Sequence, residues 1–163
     1  MKMTDKIRIE ASREQVFAAL NDPEILRQAI PGCQELDQTS ETELTATVQA
    51  KVGPVKAKFR GAVTLSDINR PESYTISGEG KGGAAGFAKG TAKVSLANDG
   101  AATILSYEVN AEVGGKLAQV GGRLIEGTSK KLASEFFNTF SSLVSSTEAT
   151  AEEPAAAPAD PPL

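Results

Sequence analysis

Apolar and polar residues alternate through most of this chain, and near the C-terminus the period lengthens to that of a helix. Lys6 to Glu10 places Ile7 and Ile9 on one side, which predicts a first strand. Ser12 followed by Gln15 forms a capping box, and Val16, Phe17 and Leu20 then share one face of a short helix. Asn21-Asp22-Pro23 stops that helix and starts a second, with Asp22 as cap and Pro23 at the first helical position; Ile30-Pro31-Gly32 ends it. From Gln34 to Val113 the period is two, the signature of a strand meander. Leu44, Ala46, Val48, Ala50 and Val52 share one face. Gly53-Pro54 fits a type II′ hairpin and sets Val52 opposite Val55. That register points Val55, Ala57, Phe59, Val63 and Leu65 inward and Lys56, Lys58 and Arg60 outward. Tyr74, Ile76, Ala92, Val94 and Leu96 continue the inward face. After a turn at Asn98-Asp99-Gly100 the last strand adds Leu105, Tyr107, Val109, Ala111 and Val113.

Beyond Gly114-Gly115, Leu117, Val120, Leu124, Thr128, Leu132, Phe136, Phe140 and Leu143 recur at three- or four-residue steps, predicting one long helix. At 1.5 Å per residue it would run about 40 Å, enough to cross a sheet of this size. Within it VGGKLAQ and VGGRLIE form a small internal repeat, which reads as a local duplication. The segment 146–163, rich in Pro, Ala and acid with no apolar period, is expected to be disordered. The expected organisation is one α+β domain over residues 1–145. It is a curved antiparallel sheet of about seven strands around a long C-terminal helix, with two short helices after the first strand. By analogy of element order this is the helix-grip, or START-like, architecture.

Composition narrows the chemistry. The 163 residues include 15 Gly and no Trp, so small side chains at inward positions leave volume unfilled. The net charge of -4 sits in the tail, where Glu148, Glu152, Glu153 and Asp160 have no neighbouring base, and the near-neutral remainder gives no sign of nucleic-acid binding. The absence of His excludes Ser-His-Asp and Cys-His catalysis and His-ligated zinc. Cys33 is the single cysteine, which excludes CxxC sites and internal disulfides and fits a reducing, cytoplasmic compartment. No export signal or membrane-spanning stretch is legible. No metal site is expected.

Gly78-Glu79-Gly80-Lys81-Gly82-Gly83 formally matches GxGxxG, but a strand follows it where a dinucleotide site needs a helix. It reads instead as a flexible hairpin arch, with Gly80, Gly82, Gly83, Gly86 and Phe87 as a flap over a pocket mouth. Outward Lys56, Lys58, Arg60, Lys81, Lys89 and Lys93 form either an ordinary solvated face or a basic stripe that docks anionic headgroups or an acidic protein. Phe136 and Phe137 are adjacent on the helix and cannot share one face, so one is expected to be exposed or to line an opening. Gly121 and Gly122, read as mid-helix, imply either close packing on the sheet or room for a ligand.

Several segments in order carry a family resemblance: DPE at Asp22 to Glu24, IPGC ending at Cys33, VGPVKAKFRGAVTLSD from Val52 to Asp67, GEGKGGAAGFAKG from Gly78 to Gly90, and VGGKLAQVGGRLIEG leading into KKLASEFF. Together these closely resemble the CoxG family, named for the CoxG subunit of carbon monoxide dehydrogenase, within the START-like superfamily, over Met1 to about Val144. The resemblance implies a non-catalytic accessory protein of a carbon monoxide dehydrogenase-type molybdenum hydroxylase. It implies a quinone or other apolar ligand between sheet and terminal helix, no covalent cofactor, and a place at the inner face of the cytoplasmic membrane. The cavity is assigned to Val48, Phe59, Val63, Ile76, Leu96, Leu105 and Tyr107 from the sheet and Leu117, Gly121, Leu124, Leu132 and Phe136 from the helix. A catalytic alternative, a START-like cyclase or hydrolase, requires a carboxylate or Tyr107 facing that cavity among convergent polar groups.

Overall fold

A computed structural model describes residues 1–156, with side chains described for residues 1–145. The chain runs β1 (Lys2–Ile9), α1 (Arg13–Leu20), α2 (Pro23–Ala29), β2 (Cys33–Ser40), β3 (Glu43–Val52), β4 (Val55–Asn69), β5 (Ser73–Lys81), β6 (Phe87–Asp99), β7 (Ala102–Gly114), α3 (Lys116–Gln119) and α4 (Gly122–Ala156). The strands make one antiparallel sheet in the order β1-β7-β6-β5-β4-β3-β2. Consecutive strands are neighbours except at β1, which pairs with β7, so the two short helices carry the chain from one edge of the sheet to the other. The expected helix-grip arrangement is the observed one.

Local chemistry accounts for the short elements. The Ser12 hydroxyl accepts from the Gln15 amide at 3.2 Å and caps α1. Asp22 Oδ1 accepts from the Glu24 amide at 2.9 Å and caps α2, with Pro23 behind it. Gly53 has φ 58° and Val52 pairs with Val55, as the hairpin sequence requires. The core joins Ile9, Val16 and Phe17 to Leu105 of β7 and to Phe140 and Val144 of α4.

Three expectations change. The terminal helix is broken: Gly121 adopts φ 97° in open space and separates α3 from α4, so it is a hinge between helices and not a mid-helix residue. The glycine arch is mostly sheet, with Gly78 opposite Gly90 and Gly80 opposite Ala88, and only a short 3-10 turn at Gly83–Ala85 remains at its tip. Finally, α4 runs to Ala156, past residue 145 where the disordered tail was expected to begin, through a stretch rich in the good helix formers Ala and Glu. Residues 157–163 lie outside the described residues.

Candidate functional site

Alternation along the curved sheet gives its concave face Leu44 and Ala46 of β3, Val63 and Leu65 of β4, Tyr74 and Ile76 of β5, Ala92 and Val94 of β6, and Leu105, Tyr107 and Val109 of β7. Leu26 and Ile30 close over them from the α2 segment, and Ala133, Phe136 and Phe137 from α4. Together with Met3, Leu20 and Leu36 they enclose a cavity of about 340 Å³. Small side chains at Ala46, Ala92 and Ala133 leave this space open where larger ones would fill it. Tyr74 and Tyr107 carry the only hydroxyls on its wall, and no carboxylate, lysine or arginine lines it.

Tyr107 stacks on Phe137, ring centres 5.5 Å apart and planes 14° from parallel. This pair, with Met3 and Ala133, is shared with a polar cleft between β1 and α4 that holds Asp5, Arg8, Lys130 and Asn138. The stack therefore stands between the apolar interior and solvent. Burial, with the Asp5 carboxylate behind it, pushes the Tyr107 phenol above its ordinary pKa. Tyr74 lies deeper, edge-on to Phe17 at 5.4 Å, and burial pushes its phenol up as well.

Val63, Ile76, Leu105, Tyr107 and Phe136 line the cavity as assigned. The other seven residues of that assignment do not. Leu96 and Leu117 are buried by packing, at 4% and 5% exposure. Val48 sits opposite Phe59, and the Phe59 ring lies where a Cβ on Gly82 would come within 2.7 Å of it. Leu124 is 41% exposed and reaches over the Gly53 turn. Gly121 faces open space and Leu132 is half-buried elsewhere. The signal missed in sequence was the Leu26 and Ile30 pair, four residues apart on α2, which roofs the cavity. Phe137 is the aromatic that lines the opening.

The flap residues Gly80, Gly82, Gly83, Gly86 and Phe87 are not at the cavity mouth. A Cβ on Gly86 would lie 2.0 Å from the Gly114 carbonyl oxygen, and one on Gly114 would lie 2.2 Å from the Phe87 ring. The arch tip is thus packed against the start of α3. The basic residues do not make one stripe either. Lys89 pairs with Glu112 at 3.0 Å, and Lys93 sits opposite Glu108. Arg60 and Lys81 share a groove with Glu35, Asp37 and Glu79. Only Lys56 and Lys58, opposite Lys51 and Gln49, keep an unopposed positive surface. Among the described residues no group of three or more His, Cys, Asp or Glu could hold a metal ion.

A family model for CoxG, the G-type subunit of carbon monoxide dehydrogenase, matches residues 6–145. The chain belongs to the CoxG family. As a member of a carbon monoxide dehydrogenase subunit family, it takes an accessory or ligand-binding role as its coarse functional description. A conserved protein from Geobacillus kaustophilus is 31% identical, with a TM-score of 0.85 over 90% of this chain and 97% of that one. A START superfamily protein from Mycobacterium smegmatis shares the fold at 15% identity and a TM-score of 0.69, over 90% of this chain and 98% of its own. The Zhui aromatase/cyclase from Streptomyces sp. R1128 shares it at 10% identity and a TM-score of 0.61, over 89% and 93%. No curated protein matches the CoxG chain in sequence. No described helix is long and apolar enough to cross a membrane.

Proposed function

We propose that this CoxG-family chain is a non-catalytic accessory protein that holds a quinone or lipid in the sheet-helix cavity. It serves a carbon monoxide dehydrogenase-type molybdenum hydroxylase by aiding its membrane association or its coupling to quinone. The observation that carries the reading is the cavity itself: about 340 Å³, walled almost wholly by hydrocarbon, of a size that ligand sites commonly have. The same wall argues against a cyclase or hydrolase, because the carboxylate that such chemistry needs is not on it. The positive end of β4, at Lys56 and Lys58, is the surface through which an anionic membrane would be approached.

Ala92→Phe tests the reading, since it fills the cavity from the middle of β6. The full chain, purified and extracted with organic solvent, should release a near-stoichiometric apolar molecule to mass spectrometry, and Ala92→Phe should release little. An empty wild-type protein that also fails to take up an added isoprenoid quinone would overturn the ligand role and leave a recruitment module.

A further inference from the structure

The described residues bury two side-chain hydroxyls, and the fold treats them differently. Thr103 is 0% exposed and donates from Oγ1 to the Ala11 carbonyl at 2.7 Å. Tyr74 is 4% exposed, lies on the wall of the apolar cavity and has no hydrogen-bond partner among the described residues. A buried hydroxyl without a partner costs free energy that a phenylalanine ring in the same place would avoid. Packing explains the ring, which meets Phe17 edge-on at 5.4 Å while the Arg70 guanidinium lies 5.0 Å from the Phe17 centroid. It does not explain the oxygen. Tyr107, the other hydroxyl on the wall, is only half-buried and borders the polar cleft beside Asp5. Tyr74 is thus the one strong hydrogen-bond donor on the enclosed part of the wall, and burial keeps its phenol protonated.

We infer that Tyr74 donates a hydrogen bond to an oxygen acceptor on the apolar ligand, so that the cavity selects a carbonyl-bearing molecule over a hydrocarbon of the same shape. This rests on the ligand role proposed above and adds the chemical class of the ligand. Discrimination follows because the carbonyl pairs a donor that a hydrocarbon leaves unpaired.

Fluorenone and fluorene have the same tricyclic outline and differ by a carbonyl against a methylene, which makes them the probes. Each is titrated into the full wild-type chain, into Tyr74→Phe and into Tyr107→Phe. The ratio of fluorenone to fluorene affinity should fall roughly 3- to 10-fold in Tyr74→Phe, the size of one net hydrogen bond, and should hold in Tyr107→Phe. Fluorene affinity should be the same in wild type and Tyr74→Phe, which certifies an intact cavity. The carbonyl stretch of bound fluorenone should lie at lower frequency in wild type than in hydrocarbon solvent. An unshifted stretch, an unchanged ratio in Tyr74→Phe, or a ratio that falls only in Tyr107→Phe overturns the role of Tyr74 and leaves the apolar cavity standing. Binding of neither probe to wild type overturns the ligand role together with it.

Discussion

Two glycines on the terminal helical segment behave oppositely under substitution, although the sequence presents them alike. Gly121 holds φ 97° in open space, so Gly121→Leu meets no neighbour but forces a side chain into a backbone conformation that it resists. It should cost roughly 1–2 kcal/mol in chemical denaturation and leave apolar-ligand binding unchanged, because Gly121 is not on the cavity wall. Gly127 lies inside α4, also with nothing within reach of an added Cβ. Gly127→Ala should stabilise by about 0.5–1 kcal/mol in the same measurement, since alanine loses less backbone entropy. Loss of binding in Gly121→Leu would restore it to the cavity.

At the scale of elements, β4 and β6 present basic residues with different surroundings. Lys56 and Lys58 stand at the hairpin end of β4 with Lys51 beside them, whereas Lys89 and Lys93 of β6 face Glu112 and Glu108 of β7. Cations with acidic neighbours contribute little to a long-range field, and unopposed ones attract anionic surfaces. Reversing Lys56 and Lys58 to Glu should weaken sedimentation with phosphatidylserine-containing vesicles by about tenfold or more at low salt, from roughly 1 kcal/mol per basic residue. The loss should shrink as salt is raised. Reversing Lys89 and Lys93 should do less. Equal losses from both pairs would mean that net charge, and not the β4 surface, governs any attraction.

For the whole molecule, the lack of His leaves a wide pH range with little to titrate. The shifted groups lie outside it. Glu24 is held below the ordinary carboxylate range by its hydrogen bond and charge pairing with Arg27, so its contribution is present above that range and is lost as acid protonates it. Burial raises the Cys33 thiol and the Tyr74 and Tyr107 phenols. Their contribution is complete below the unfolded-state values and is lost as pH rises, because the unfolded chain ionises first. Thermal unfolding should therefore give a nearly constant melting temperature from about pH 5.5 to 7, falling on either side. A steep slope inside that interval would require a shifted carboxylate that the folded structure does not reveal.

Sequence alone determined what depends on neighbours along the chain. Ser12 and Asp22 mark their helices because a side-chain oxygen caps amides two or three residues away, and Gly53-Pro54 sets the register of β3 on β4 because the turn admits few backbone conformations. From that register, alternation assigned Val63, Ile76, Leu105 and Tyr107 to the concave face. Alternation cannot say which inward residues meet another side chain and which meet empty space. Leu96 and Val94 face the same way on β6, yet Leu96 is taken up by packing while Val94 borders the cavity, a difference made by what lies across from them. Leu26 and Ile30 become a roof only once α2 lies over the sheet, and Gly121 becomes a hinge only because its φ is positive. Tyr74 reads in sequence as one more inward aromatic. That its oxygen is buried without a partner is decided by the distances from every other segment, which no local pattern contains.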